Sequence, residues 1–406
     1  MPILATGLFE TVAYKVEAAF GTIPAATGPN GQLLRRVTSS LDLTKDVYQS
    51  NEIRPDMQIA DLRHGMRHVK GTLAGELSPK TYADFFSAAC KRPYAAGASL
   101  VAASITVAGT GPSYTLTRAA GSYLTDGVKV GDILRLSVGA FNPANINKNV
   151  MVVSLVAAVA TVVVLNASAL VAEGPISGAT VSVQGKKTFV AATAQTDLSF
   201  SIEHWYGDVV QSEVFSGCKV SKIALNLPTS GMATCGIDFM GQNVTTAQAQ
   251  YFTSPLSTSA LGTLAAVNGV LRVNGAVIAI VTGLSTNLTA AFTEGPVIGA
   301  NQIAALFAGT VKVDGQFTAY FLDNALRDTF YNETEIDLYA AFTTDNTATA
   351  DFIAIGMPRI KVTTATKNDG PGGKVQTFAF TALLNKNGGA GIATEYTTFS
   401  VQDSAA

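Results

Sequence analysis

The sequence predicts a mainly β protein: two tandem copies of one strand-rich unit, each with a short flanking helix, and a small β domain inserted into the first copy. Three observations carry this. Residues 58 to 65 read Gln-Ile-Ala-Asp-Leu-Arg-His-Gly and residues 302 to 309 read Gln-Ile-Ala-Ala-Leu-Phe-Ala-Gly, an offset of 244 that runs on without a gap. Val69 meets Val313, Gly71 meets Gly315, Leu73 meets Phe317, Asp84 meets Asp328 and Phe86 meets Phe330; upstream, Val37-Thr38 falls on Val281-Thr282. A self-match at fixed spacing indicates a repeated structural unit. Second, apolar and polar residues alternate over most of the chain, the period of a half-buried strand. Third, more than a hundred residues separate Phe86 from the strand pattern at Ser199, whereas Phe330 and Glu335 are nearly adjacent.

The elements follow in order. Residues 67–77 place Val69, Gly71, Leu73, Gly75 and Leu77 on one face. Residues 78–89 predict a helix, with Ser78 as N-cap, Pro79 at its first position, and Tyr82, Phe85, Phe86 and Ala89 at helical spacing. Its counterpart runs from Asp323, the matching cap, to Phe330. Between residues 98 and 188, Ser104–Val107, Tyr114–Thr117 and Asp132–Leu136 read as strands punctuated by Gly. Lys219–Leu227 and Met232–Phe239 form a hairpin about Pro228-Thr-Ser-Gly231, and Arg359–Thr366 with Val375–Leu383 forms another about Asn368-Asp-Gly-Pro-Gly-Gly373. Ser199–Trp205 and Glu335–Tyr339 complete the pattern. The domain division is therefore an N-terminal arm (1–30), a discontinuous first domain (31–97 and 189–250), an inserted β domain (98–188) and a second domain (251–406). A module inserted in a host loop is expected to project from the surface.

Composition excludes several classes. Only 14% of the 406 residues are charged and 48% are apolar, a globular balance unlike that of a disordered chain. A net charge of -2 gives no footprint for tight nucleic-acid binding. Cys90, Cys218 and Cys235 lack metal-ligand spacing and read as buried thiols. The N-terminus has no basic region ahead of an apolar run, so the chain is expected to be made and assembled in the cytoplasm. The uncharged stretch from Asn149 to Ala172 is long enough to span a bilayer, yet its Val-rich halves around a small-residue centre read as two short strands. No membrane span is expected.

Chemistry is mostly absent. His64, His68 and His204 are the only histidines, and the first two sit among Arg63, Arg67 and Lys70, which oppose a bound cation. There is no nucleophile elbow, phosphate loop, dinucleotide fingerprint or zinc motif. Gly370-Pro-Gly-Gly is a hairpin tip with no helix behind it to hold phosphate. No catalytic residue, cofactor or metal is expected.

Several segments together resemble a family, the tail tube proteins of long-tailed bacteriophages. They are Ser50-Asn-Glu-Ile-Arg54, Gln58–Gly65, Val69-Lys-Gly-Thr-Leu73, Glu76-Leu-Ser-Pro79, Phe215-Ser-Gly-Cys-Lys-Val220, Phe239-Met-Gly241 and Met357-Pro-Arg-Ile-Lys-Val362. They span both halves of the chain but not the insert, and none is catalytic. The resemblance implies β-sandwich or barrel domains whose sheets join edge to edge around a ring, with rings stacked into a hollow tube of the virion tail. DNA passes through that tube from capsid to host without being specifically bound, and the tape measure, terminator and distal tail proteins are the implied partners. With two fused domains per chain, three copies would close a ring that six single-domain copies close elsewhere; a hexameric ring is the alternative. A second reading, a β-rich adhesion or carbohydrate-binding protein of the virion, would call for exposed aromatic clusters, and Trp205 is the only Trp.

The two copies differ in charge. Over residues 31–95, ten Lys or Arg face seven acids, a net of +3; over 275–339, two face seven, a net of -5. Around a ring each junction would then join a basic unit to an acidic one, with Arg54, Asp61, Arg63, Arg67, Glu294 and Asp314 as candidate interface residues.

Overall fold

The computed structural model describes residues 4–26, 31–166, 168–265, 269–278, 280–369 and 371–406. Gly370, at the tip of the second predicted hairpin, lies outside the described residues, as does Ala167 in the Val-rich stretch.

Before the insert the elements are β1 (Glu10–Val16), β2 (Gln32–Leu33), β3 (Thr38–Ser39), β4 (Asp42–Gln49), β5 (Leu62–Glu76), α1 (Ala83–Cys90) and β6 (Ala95–Ala96). The insert contributes β7 (Ser99–Ala108), β8 (Ser113–Arg118), β9 (Ile133–Val138), β10 (Val150–Leu155), β11 (Val159–Val164) and β12 (Glu173–Val183). Then come β13 (Lys186–Phe189), β14 (Phe200–Tyr206), β15 (Gln211–Pro228), β16 (Thr234–Gly241) and β17 (Asn243–Ala247). The last part holds β18 (Gly269–Val273), β19 (Ala276–Val277), β20 (Val281–Gly295), β21 (Ala305–Tyr320), α2 (Ala325–Tyr331), β22 (Ile336–Thr343), β23 (Phe352–Lys367), β24 (Val375–Ala382) and β25 (Ser400–Asp403). No helix among the described residues is long and apolar enough to cross a membrane.

One pattern of pairing occurs twice. In the first half β4, β5, β16 and the C-terminal part of β15 form one sheet, while β2, β1, β14, the N-terminal part of β15 and β17 form a second. In the second half β20, β21, β24 and the end of β23 repeat the first sheet, and β19, β18, β22, the start of β23 and β25 repeat the second. The irregularities recur with the pairing. β14 and β15 slip between Phe200 and Ile202, and β22 and β23 slip between Ile336 and Leu338. β15 slips against β16 between Val220 and Lys222, and β23 slips against β24 between Val362 and Thr364. Such bulges bend a strand, and they let β15 and β23, at 18 and 16 residues, each serve two sheets.

The core lies between the sheets. Val12, Tyr14, Phe200, Ile202 and Phe215 from one sheet meet Val69, Leu73, Ile223, Ile237 and Phe239 from the other. Helix α1 closes the open end with Phe85, whose ring lies 4.7 Å from Tyr14, 5.0 Å from Phe200 and 5.4 Å from Phe239. In the second half the stacked Phe317 and Phe378 fill the core, 5.0 Å apart. Gly71 and Gly315, matched in the sequence, have one physical reason: a Cβ at Gly71 would stand 2.4 Å from the Ser40 carbonyl oxygen, and at Gly315 2.3 Å from that of Ser285.

Three sequence expectations need correction. Helix α1 starts four residues late, because Ser78 bonds the Thr81 hydroxyl at 2.6 Å and caps nothing; the residue before the helix is Tyr82. Asp323 accepts a bond from the Ala325 N–H at 2.9 Å, but it stands one residue too early to cap α2, whose N-cap position is Asn324. The offset of 244 holds along β5 and β21, but upstream the pairing moves to 245. Leu43 faces Val69 where Leu288 faces Val313, and Thr38 rather than Ser39 corresponds in pairing to Gly283.

The Val-rich stretch is the hairpin β10–β11, and β7 to β12 close a six-stranded barrel around Leu116, Leu134, Val152 and Val181. Its outer side docks on the second half: Ile133, Met151, Val153, Val163 and Leu165 pack on Ala341, Phe352 and Ala354. Polar pins surround this apolar contact. Asn149 Nδ2 donates to the Ala350 carbonyl at 2.8 Å, and the Ile133 N–H donates to Gln402 Oε1 at 3.0 Å. A buried cluster holds the far rim, where Lys187 pairs with Asp132 and, at 3.1 Å, with Glu395. Burial pushes the Asp132 carboxyl up from its usual range, opposed by Lys187 beside it.

Candidate assembly surfaces

The first surface joins the two halves within the chain. Residues 222–228 of β15 pair antiparallel with residues 283–289 of β20, so the first-sheet strands of both halves run on as one sheet in the order β4–β5–β16–β15–β20–β21–β24–β23. Around it His68 Nδ1 lies 2.8 Å from Glu294 and its Nε2 lies 3.2 Å from Asp46, while Lys70 Nζ lies 3.0 Å from Glu294. The Arg67 N–H donates to the Asn301 carbonyl at 3.0 Å, and its guanidinium donates to Asn243 Oδ1 at 3.0 Å. Of the six predicted interface residues, Arg67 and Glu294 thus both bond across this internal junction, each to other partners. Arg54 pairs with Asp56 at 2.9 Å, Arg63 with Asp61 at 2.7 Å and Asp314 with Lys312 at 2.9 Å. Those pairs are local and largely solvated, where ion pairs contribute little.

The second surface is a pair of free sheet edges. β4 bonds β5 on one side, and residues 361–367 of β23 bond β24 on one side; neither has a second partner strand among the described residues. Unpaired edges present rows of N–H and C=O groups that invite a further strand.

The third is the first-sheet face turned away from the core. Its half-exposed side chains include many Thr, Ser and Asn, and its charges balance: Lys70, Lys222 and Lys312 stand among Glu76, Asp238 and Asp314. Thr72 Oγ1 donates to Asp238 at 2.5 Å and Asn287 donates to Asp314 at 3.2 Å. The fourth is the pair of loops 50–61 and 296–304 at the ends of the long hairpins. Ile53, Met57, Ile59 and Ile298 are largely or fully exposed there, an apolar display that usually marks an interaction site.

Groups with chemical potential elsewhere are accounted for by packing. Cys90, Cys218 and Cys235 are buried and free, and burial pushes their thiols up, Cys90 to about 12. Burial, aided by Arg36, lowers His204 to about 4. Its imidazole is therefore neutral near pH 7, bonded to Ser39 Oγ at 3.0 Å, and its 3.7 Å approach to Glu10 is no ion pair under those conditions. Among the described residues no group of His, Cys, Asp or Glu is arranged to hold a metal. Sequence reasoning missed two buried carboxylates. Glu17 accepts from Ser199, Ser201 and the N–H groups of Gly21 and Gly217; Glu203 accepts from Ser212 and the N–H groups of Tyr251 and Phe252. Both pin chain segments without any cation, and no motif in the sequence marks them.

Open sheet edges, a polar sheet face and exposed hairpin tips define a β protein that builds assemblies. The chain belongs to the phage tail tube protein family, whose model matches residues 10–382. It is a structural component of the virion tail tube, in a family that is not enzymatic and whose members assemble into tube rings. No curated protein matches the chain.

Proposed function

We infer that the chain is a duplicated tail tube protein of a long-tailed, siphovirus-like phage, and that three copies close a ring of pseudo-sixfold symmetry. The observation that carries this is the internal junction. It already joins one unit to the next through β15 and β20, and the two free edges are the corresponding strands of the other units: residues 361–367 correspond to the end of β15, and β3–β4 to β20. Carrying the internal register across sets Thr364 opposite Thr44 and Thr366 opposite Asp42 of the next copy. A head-to-tail contact of this kind closes a ring when its rotation divides the circle. The recurring strand order, bulges and glycines support duplication as the source of the two units.

Size favours three copies. Eight sheet strands per chain make 24 in a trimer; at about 4.8 Å spacing and a tilt near 40°, such a barrel is about 48 Å across, leaving roughly 35–40 Å between side chains. That passes a DNA duplex, whereas two copies leave a bore of roughly 20–25 Å, on the order of the duplex itself. The second sheets, helices and inserted barrels must then sit outside, because they would overfill the bore. The polar face therefore turns inward, and its balanced charges and hydroxyls offer DNA no basic track to grip. Exposed hairpin tips are placed to contact the neighbouring ring. In this reading Arg54, Asp61, Arg63, Arg67, Glu294 and Asp314 help set register between units.

Electron microscopy of the purified chain tests it: rings or hollow tubes with three copies per turn are expected. Discrete monomers, or rings of six chains by native mass spectrometry, would overturn it.

A further inference from the structure

One stretch of the repeat is buried in one half and bare in the other. Gln302-Ile-Ala-Ala-Leu306 matches Gln58-Ile-Ala-Asp-Leu62 at the offset of 244. Each lies on the limb that leads from a hairpin tip into a long strand, β21 or β5. The backbones agree as well. Leu306 pairs with Glu294 and Leu62 with Gln49, and the same slip follows, between Ala290 and Phe292 in one hairpin and between Lys45 and Val47 in the other. Yet Ile303 is 1% exposed and Ile59 66%, and Leu306 is 4% exposed and Leu62 50%. Phe292 is half-buried, while its counterpart Val47 is exposed.

The second copy of this motif lies on the first half of the chain. β16 pairs with β5 as far as Gly241 opposite Val69. Past that point the limb takes the place of β16, with Gln302 beside Arg67 and the Arg67 N–H donating to the Asn301 carbonyl at 3.0 Å. Gln242, the residue after β16, donates from Nε2 to the Ile303 carbonyl at 2.8 Å. The buried Lys219 donates to the Leu306 carbonyl at 3.3 Å, stands 5.6 Å from the centre of the Phe292 ring and pairs with Asp197. The hairpin of the second unit thus reaches past its own strands and rests on the unit before it.

The second half carries the same seat uncovered. β24 pairs with β21 as far as Ala382 opposite Val313, so Val311 stands where Arg67 stands. Outside the strand ladders the Val311 N–H makes no backbone bond among the described residues. Lys361 corresponds to Lys219, since Lys361 pairs with Thr381 of β24 and Lys219 with Met240 of β16. It keeps an acidic partner, Glu333 at 2.8 Å in place of Asp197, but it is partly exposed and bonds no carbonyl among the described residues. The residue after β24 is Leu383, half-buried and apolar where Gln242 is polar.

We propose that residues 58–62 of one copy seat on the second half of the preceding copy, with Ile59 and Leu62 buried there as Ile303 and Leu306 are within the chain. The proposal rests on the ring reading above. Once β23 of one copy pairs with β4 of the next, as β15 pairs with β20, the β4–β5 hairpin stands to that neighbour as the β20–β21 hairpin stands to the first half. Gln58 then lies beside Val311, Lys361 reaches the Leu62 carbonyl, and Val47 takes the place of Phe292 beside that lysine. Ile53 and Ile298, nearer the tips, are exposed in both hairpins, so this seating leaves them for the neighbouring ring. Each junction gains apolar burial that two paired edge strands do not supply by themselves.

A chain carrying Gln58→Cys and Val311→Cys tests this. Residues paired across a bridge have Cα atoms within disulfide reach, and the three native thiols are buried. Mild oxidation of assembled rings should link copies into dimers and trimers on non-reducing gels, and neither single variant should. Arg67→Cys with Gln302→Cys, the same pair inside the chain, should close without linking copies. Ile59→Asp should lower ring yield by roughly tenfold or more, the scale of one buried apolar side chain lost, with the monomer melting temperature unchanged. Ile303→Asp should instead lower the melting temperature of the monomer itself. Linked species longer than trimers would place the limb on the next ring and overturn the seating. No linked species while the internal pair closes, or Ile59→Asp rings at the parental yield, would overturn it and leave the ring standing. Failure of the unaltered chain to form rings would refute the ring reading, and the seating with it.

Discussion

Proline at the free edge of β23 offers the sharpest test of ring closure. Residues 365 and 366 pair regularly with Phe378 and Thr377 of β24. In an antiparallel ladder, successive N–H groups point to opposite sides, so one of the two faces β24 and the other faces the open edge. Ala365→Pro and Thr366→Pro should therefore behave as opposites. The variant that loses the inward donor breaks a native ladder bond and should lower the monomer melting temperature by several degrees. Its neighbour removes a donor that no strand uses in the isolated chain, so the monomer should melt within a degree or two of the parent. At the junction, however, that variant leaves a carbonyl of the next copy unpaired, at about 1–3 kcal/mol. The internal template is seven residues long, from 222 to 228, so one lost bond is a sizeable part of the ladder. Three junctions per ring make roughly 3–9 kcal/mol, about a hundredfold to a millionfold in ring formation. Sedimentation with negative-stain imaging reads the yield, and thermal denaturation reads the fold. If both variants stay folded and build tubes as the parent does, β23 is not the closing edge.

Further outcomes are expected. Phe85→Ala should cost about 3–5 kcal/mol, because its ring touches Tyr14, Phe200 and Phe239, whereas Thr329→Ala on the bare α2 should stay within about 0.5 kcal/mol; hydrogen exchange of β1 and β14 reports the difference locally, and equal effects would contradict the packing asymmetry. Burial raises Asp403 to about 6 from an ordinary 3.8, so its contribution is fully present below about pH 4 and is lost as pH rises through 6; melting curves should flatten over that window in Asp403→Asn. His204 has the opposite sign: lowered from 6.5 to about 4, it supports the fold above pH 6.5 and loses on the order of 3 kcal/mol as pH falls towards 4, a loss that His204→Gln should remove. Reversing Arg54, Arg63 and Arg67 to Glu should slow assembly mainly through Arg67, which already bridges the internal junction; unchanged tube length and assembly rate would end any role for these charges in register.

The sequence alone determined the β class and the family, and it carried the self-match at offset 244 and the strand patterns between residues 98 and 188. These are local or self-referential signals. Alternation of Val69, Leu73 and Leu77 follows from the pleat, and Gly71 recurs as Gly315 because a strand backbone crosses both at van der Waals distance. The Val-rich stretch could be read as a hairpin because β-branched residues favour extended backbone. What only the tertiary structure decided is which strands meet across long separations. The slip from offset 244 to 245 leaves no mark on composition, since it falls in a hairpin loop: Gln49 pairs with Leu62 and Glu294 with Leu306, so the first loop is one residue longer. That the insert docks on Phe352 and Ala354 depends on apolar patches some two hundred residues apart, each ordinary by itself. The contrast between a covered α1 and a bare α2 was likewise hidden, because the helices share a pattern and differ only in what lies on them. Periodicity records which face of an element is buried; the partner that buries it is fixed by chain path, and that exists only in three dimensions.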